Sequence, residues 1–181
     1  MKDCGACGYR TCKEYMENEQ INICPTGEVF PESHLKSIQL DYDFRLSPLS
    51  GEPSARKFIL PFRPDLVEKF EITEGNIVIG RPAGAGCPVY HSLKVISSNY
   101  VTGVLECHSV GPLISRNTKV HDIQSYHVHA FEGIVEINKA EPTIGVRQRF
   151  LPTFCMIQLV HTAVVSQIIG NRVRLEDIRI L

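Results

Sequence analysis

Four of the seven cysteines lie within the first 24 residues, and their spacing constrains this segment more than any other feature of the chain. They are Cys4, Cys7, Cys12 and Cys24, in the pattern C-x2-C-x4-C followed by an eleven-residue gap and Cys24-Pro25. A segment this short cannot build an apolar core, so another interaction must hold it together. Clustered thiolates predict that a metal centre does so.

Both iron-sulfur clusters and zinc accept thiolate ligands, and the spacing favours the cluster. Structural zinc usually takes two close pairs of ligands, and the second pair is missing here. Three front cysteines let one loop wrap three corners of a cubic cluster, while Cys24 returns as the fourth ligand. Gly5 and Gly8 suit this geometry, because glycine lacks a Cβ and leaves backbone N–H groups facing the sulfurs. A helix predicted over residues 13–19 would place its positive N-terminal end beside Cys12.

Two stretches of this segment resemble a known family. They are Cys-Gly-Ala-Cys-Gly-Tyr-Arg-Thr-Cys-Lys-Glu-Tyr from Cys4 to Tyr15 and Ile-Asn-Ile-Cys-Pro from Ile21 to Pro25. Both are similar to the iron-sulfur module of the large subunit of corrinoid iron-sulfur proteins and of the B subunit of Rnf electron-transport complexes. The resemblance implies that the four cysteines bind one [4Fe-4S] cluster that passes low-potential electrons. The gap between Cys12 and Cys24 is shorter than in that family.

The length of 181 residues suits a small N-terminal module joined to one larger domain. We expect a cluster-binding module at residues 1–28 and a β-rich domain at residues 29–181. The net charge of -1 gives no reason to expect nucleic acid as a partner. Met1 leads directly into Cys4 without an apolar leader, and no apolar run approaches the length of a membrane span. We therefore expect a cytoplasmic protein that does not span a membrane. In that reducing compartment, clustered thiols favour metal binding over disulfides.

Beyond the module, short runs of Val, Ile, Tyr and Phe punctuated by Gly, Pro and Asn predict β-structure. The predicted strands cover residues 38–46, 76–80, 92–98, 102–110, 126–137, 145–150, 156–168 and 172–175. A short helix is predicted at residues 64–70 and a hairpin turn at Gly170-Asn171. The rest of residues 27–64 is rich in proline and predicts a connector. The expected fold class is α+β, mainly β, with the iron-sulfur module followed by a barrel- or sandwich-like domain.

One pair of histidines in the β part is a candidate metal site. His127 and His129 lie two residues apart, which places them on the same face of a strand, where two imidazoles can share a metal. Glu132 follows at a spacing similar to the H-x-H-plus-Glu sites of cupin barrels, although shorter by at least one residue. The alternative is a solvated strand face with ordinary polar histidines.

Three further cysteines, Cys87, Cys107 and Cys155, are scattered singly. With His91 or His108 they could ligate a second metal or cluster, and the alternative is that they are small buried hydrophobes. The glycine-rich loop at residues 80–86 matches neither a dinucleotide-binding nor a Walker pattern. It is interpreted as a turn that closes over something, with the cluster or a flavin as candidates.

The leading hypothesis is an electron-transfer protein of anaerobic metabolism, which exchanges electrons with a ferredoxin-type donor or a corrinoid or oxidoreductase acceptor. Four cysteines leave no iron position open, so electron transfer is favoured over catalysis at the cluster. Two alternatives stay open. One is a cluster-containing redox enzyme with a second site, for a metal or a flavin, in the β domain. The other is a zinc-stabilised interaction module.

Overall fold

The computed structural model describes Tyr15 and residues 40–87, 89–111, 119–155 and 158–181, which form mainly β-structure. In chain order the strands are β1 (Phe44–Ser47), β2 (Arg56–Pro61), β3 (Ile77–Ala83), β4 (His91–Ser98), β5 (Leu105–Val110), β6 (Val120–Ile137), β7 (Arg147–Pro152), β8 (His161–Ile169) and β9 (Arg172–Ile180). A short helix, α1 (Asp65–Lys69), lies between β2 and β3. Among the described residues, no helix has the length and apolar character needed to cross a membrane.

These strands belong to one mixed sheet that closes on itself twice. The first ring joins β1, β7, β8, β9 and β6, and the second ring joins β6, β2, β5, β4 and β3. Strand β6, which is 18 residues long, is shared by both rings. Because each described strand is paired on both sides, neither ring presents an open sheet edge.

Strand β6 serves both rings because it exchanges partners along its length. Its residues Val120 to His127 pair with β3 in parallel, and Ala130 to Ile134 then pair with β9 in the antiparallel sense. On the opposite edge, β2 gives way to β1. The register against β2 skips His129, which lies between the partners of Phe58 and Ile59. This bulge bends β6 where the strand passes from the second ring to the first.

Each ring encloses an apolar core of its own, built mainly from the inward side chains of its strands, and Val67 of α1 joins the core of the second ring. The core of the first ring contains Phe44, Leu46, Phe131, Phe150, Val165 and Leu175. The core of the second ring contains Ile59, Val67, Val78, Leu93, Leu105, Cys107 and Tyr126. Period-two alternation explains both sets, since in β1 Phe44 and Leu46 are buried while Arg45 between them is exposed.

The prediction of a mainly β chain is confirmed, and so are the short helix after Pro64 and the turn at Gly170, whose φ is 61°. The structure also differs from the sequence prediction in two strands: β2 was not predicted, and β6 begins six residues earlier than predicted. Strand β2 lies in the predicted connector. The first six residues of β6 are mostly polar, so they lack the apolar run that predicts a strand. The predicted module at residues 1–28 lies outside the described residues except for Tyr15, which is helical and buried. The boundary at residue 28 stays a prediction.

Gly133 lies where β6 meets β1, and the neighbouring chain leaves no room for a side chain. A Cβ at this position would stand 2.5 Å from the carbonyl oxygen of Ser47 and 2.9 Å from the Leu46 side chain. Gly133→Ala is therefore expected to push β1 away from β6 and to lower the free energy of unfolding by about 2 kcal/mol. Urea denaturation followed by circular dichroism measures this loss.

The comparison variant is Gly145→Ala, where a Cβ would meet no atom within 4 Å although φ is 80°. That variant carries backbone strain without the steric clash, so its loss should be smaller. Equal losses in the two variants would contradict the assignment of Gly133 to the closure of the first ring.

Candidate functional site

A cavity of about 70 Å³ lies where the two rings meet, and we call it the inter-ring cavity. The second ring contributes Lys57 of β2 and His91 of β4, the first ring contributes His161 of β8, and shared β6 contributes Tyr126. Most other lining residues are apolar: Pro82, Ala85, Val89, Val110, Val128, Phe131, Pro152, Phe154, Ile178 and Ile180. A space of this size holds several water molecules or a ligand of a few heavy atoms.

Among the described residues that line this cavity, Lys57 is the charged one. It occupies an inward-facing position of β2, where it pairs with Phe131 of β6 and Cys107 of β5. Only 4% of its surface is exposed. Its ammonium lies 5.4 Å from the centre of the Phe131 ring and 5.3 Å from that of Phe154. Burial lowers the pKa of Lys57 from 10.5 to about 8. The side chain is therefore mostly protonated at neutral pH, with a minor fraction of free amine.

His91 links two other polar groups of the cavity. Its Nδ1 shares a hydrogen bond of 2.9 Å with the Tyr126 hydroxyl, and its Nε2 lies 3.7 Å from the Cys87 sulfur. Burial lowers the pKa of His91 to about 3, and the positive charge of Lys57 adds to this effect. Burial also raises the pKa values of Cys87 and Tyr126. The three groups are thus an uncharged hydrogen-bonded chain at neutral pH.

His161 forms another part of the cavity wall. Its Nδ1 donates a hydrogen bond of 2.8 Å to the carbonyl oxygen of Leu159, which leaves Nε2 as an acceptor when the ring is neutral. Burial lowers the pKa of His161 to about 4, so the ring is neutral at pH 7. The ring packs against Phe150 at a centroid distance of 5.4 Å.

The charges of the inter-ring cavity are unbalanced. No aspartate or glutamate is among the described residues that line it, and Lys57 takes part in no ion pair within the described part of the chain. The described residues also contain no group of three or more potential metal ligands. The cavity can therefore offer a cation, a small fraction of free amine and several neutral hydrogen-bonding groups.

The glycine-rich loop closes over this cavity. Gly84 and Gly86 adopt φ values of 77° and 86°, which favour glycine, and the carbonyl oxygen of Ala85 between them accepts a hydrogen bond of 2.7 Å from the Ile180 N–H. The loop after β3 is thereby attached to the end of β9, and it brings Ala85 and Cys87 to the cavity wall.

The four cysteines predicted to bind a cluster lie outside the described residues; they are Cys4, Cys7, Cys12 and Cys24. Of the distal cysteines, Cys87 and Cys155 both line the inter-ring cavity. Cys107 belongs to the core of the second ring, in keeping with its interpretation as a small buried hydrophobe.

His127 and His129 are both exposed, as expected of two residues on one face of a strand. The His127 ring stacks on Phe62 at a centroid distance of 4.7 Å. Glu132, by contrast, is buried and forms ion pairs with Arg172 and Arg174. The structure therefore gives Glu132 a role between strands and does not bring it together with the two histidines.

A serine, a histidine and a glutamate come together near the start of β2. Ser54 Oγ lies 3.2 Å from Nδ1 of His108, and Nε2 of His108 lies 3.4 Å from a carboxylate oxygen of Glu52. The Ser54 hydroxyl is 1% exposed, donates to the carbonyl oxygen of Ala55 and accepts from the Ser109 N–H. These bonds join the start of β2 to β5, and burial separates the Ser54 hydroxyl from solvent.

The described residues define a mainly β protein in which two closed rings share one strand and a buried lysine lies at their junction. Over 206 aligned positions the chain is 32% identical to Uncharacterized protein MJ0119 of Methanocaldococcus jannaschii, and the alignment covers 97% of this chain and 87% of that relative. The chain belongs to the same family as this relative. No family model matches the chain. No solved structure matches it either.

Glu132 offers a direct test of the ion pairs that join β6 to β9. Its carboxylate is 10% exposed and accepts from Arg174 at 3.0 Å and from Arg172. Glu132→Gln keeps the shape of the side chain and removes its negative charge from both ion pairs, so we expect the free energy of unfolding to fall by about 1 to 2 kcal/mol. The loss is limited because both arginines retain contact with water. Urea denaturation at pH 7 provides the measurement.

Glu176→Gln is the matched control. Glu176 pairs with Arg174 at 2.9 Å, but its carboxylate is 45% exposed. We therefore expect the free energy of unfolding to change by no more than about 0.5 kcal/mol. A loss as large in Glu176→Gln as in Glu132→Gln would show that burial of Glu132 does not strengthen its pairing.

Proposed function

We propose that this protein carries one [4Fe-4S] cluster and exchanges low-potential electrons with a redox protein partner in anaerobic metabolism. The observation that carries this proposal is the spacing of four cysteines in the N-terminal segment, Cys4, Cys7, Cys12 and Cys24. Four soft thiolates match the four irons of such a cluster and leave none open to a substrate. The cluster, when bound, supplies one-electron exchange. The resemblance of this segment to the corrinoid and Rnf modules implies that the partner is a ferredoxin-type donor or a corrinoid or oxidoreductase acceptor.

Residues beside the cysteines support the same role. Gly5 and Gly8 leave backbone N–H groups able to donate toward the sulfurs, which stabilises a negative charge there. Three acidic residues follow Cys12, and they are Glu14, Glu17 and Glu19. Their charges oppose the addition of an electron, so we expect a low reduction potential.

The deciding experiment is anaerobic purification followed by analysis of iron, sulfide, zinc and flavin. We expect about four irons and four sulfides per chain, with broad visible absorption. After reduction with dithionite, an electron paramagnetic resonance signal should appear, and a dye-mediated titration should place its potential in the range of ferredoxins. Stoichiometric zinc without iron would overturn the proposal in favour of an interaction module. A cluster that dithionite cannot reduce would point instead to a structural role.

A second candidate function is a redox enzyme with its own site in the β part. The inter-ring cavity favours it, because buried groups with strongly shifted pKa values in a concave site are typical of active sites. The same analysis separates the two functions. Flavin or a further metal beside the four irons would favour the enzyme, whereas iron and sulfide alone would favour the carrier.

A further inference from the structure

We infer that the inter-ring cavity binds a small, largely apolar molecule that carries a single anionic group, and that the ammonium of Lys57 holds this group. The residues that carry this inference all belong to the described part of the two rings. The inference does not depend on the cluster.

The first support is the state of Lys57 itself. The side chain is 4% exposed and has two aromatic rings beside its ammonium, but within the described residues it has no carboxylate partner. Contact with Phe131 and Phe154 offsets only part of the loss of hydration. A buried ammonium is unfavourable unless an opposite charge accompanies it. An anion bound in the cavity supplies that charge.

The second support is that the other described groups in the cavity lining are neutral. The lowered pKa values of His91 and His161 keep both rings uncharged at pH 7, and the raised pKa of Cys87 keeps its thiol protonated. The described lining residues therefore present one cation to the ligand, and a dianion would bring one uncompensated charge into a buried space. This favours a monoanion such as a carboxylate over a phosphate dianion.

The third support is the character of the walls. Pro82, Val110, Val128, Ile178 and Ile180 surround the space with apolar surface, and the volume of about 70 Å³ admits a ligand of a few heavy atoms. Ser92, Ser109 and Tyr126 are also lining residues, and a side-chain hydroxyl group can hydrogen-bond to an oxyanion. A short aliphatic tail with a carboxylate head matches this combination.

The test uses the full-length protein with butyrate as the probe and butyramide as its neutral isostere. Nuclear magnetic resonance titrations at pH 7 give the dissociation constant of each. We expect butyrate to bind at least tenfold more tightly than butyramide. We also expect Lys57→Met, which keeps the length of the side chain without its charge, to weaken butyrate binding at least tenfold.

Lys94→Met is the matched control, because Lys94 is exposed on β4 and outside the cavity. It should bind butyrate as the wild type does. Equal binding of butyrate and butyramide, or unchanged butyrate binding in Lys57→Met, would overturn the inference. Neither result bears on the iron and sulfide content, so failure of this site is distinguishable from failure of the proposed function.

A measurement on the wild type keeps the inference testable if Lys57→Met does not fold. Within the described part of the chain, the titratable groups coupled to Lys57 are Cys87, Cys107, Cys155, His91 and His161. A bound carboxylate favours the protonated lysine. Saturating butyrate should therefore raise the pKa of Lys57 above its value of about 8 in the ligand-free protein. Butyrate affinity should correspondingly fall as the pH rises above that value. Lysine side-chain resonances that titrate identically with and without butyrate would overturn the inference.

Discussion

Replacing any one of Cys4, Cys7, Cys12 or Cys24 by alanine is expected to lose the [4Fe-4S] cluster or convert it to a form with less iron. A cubic cluster with one unligated corner readily sheds iron from that corner. Iron and sulfide should therefore fall below the roughly four of each expected per chain of the wild type. Metal analysis and electron paramagnetic resonance of the reduced, anaerobically purified variants measure this change.

Cys155→Ala is the control for this series. Cys155 is not among the four predicted ligands, so its removal should leave the iron content and the resonance signal unchanged. Full iron content after replacement of Cys12, or loss of iron after replacement of Cys155, would contradict the ligand assignment. If Cys87, Cys107 and Cys155 can all be replaced without altering the signal, a second cluster held by these cysteines is excluded.

Lys57→Met is expected to raise the free energy of unfolding of the ligand-free protein by about 3 kcal/mol at pH 7. This magnitude follows from the lowering of the Lys57 pKa from 10.5 to about 8 by burial. Methionine fills a similar volume without a charge, so the variant avoids the loss of hydration. Urea denaturation of both proteins provides the comparison. A control at exposed Lys94, Lys94→Met, should change stability by less than about 0.5 kcal/mol.

The pH dependence of the same comparison has a defined direction. Below pH 8 the lysine is protonated in both the folded and the unfolded chain, and the full penalty of burial is present. Between pH 8 and 10.5 the folded chain releases its proton before the unfolded chain does, so the wild type gains stability relative to Lys57→Met. Buried Cys87, Cys107 and Tyr126, whose pKa values are raised, act in the opposite direction in both proteins, so most of their effect cancels in the difference. A difference that is constant from pH 7 to 10 would contradict the assignment.

The residues of the inter-ring cavity show why sequence analysis overlooked this site. In β2 the inward positions are Lys57, Ile59 and Pro61, whereas Phe58 points outward and lies under Arg174 at 4.5 Å. Arg-Lys-Phe-Ile-Leu-Pro therefore lacks the alternation that marks a half-buried strand, and its lysine resembles a surface residue. Cys87 and His91 are close in sequence, which is why they could be considered together as ligands. Nothing in the sequence associates them with His161, which joins the cavity only through β8 of the other ring.

The sequence by itself determined the mainly β character of the described chain, the short helix and the hairpin turn, and it supplied the cysteine spacing from which the cluster is proposed. Each of these depends on neighbouring residues: alternation along a strand, helical spacing over a few residues, or ligands within one short segment. Only the tertiary structure decided that β6 is shared by two closed rings and that a lysine is buried between them. Those features depend on pairings such as Phe44 with Ile137 and on the bulge at His129. Such pairings join residues far apart in the chain, and no local periodicity encodes which strands will meet.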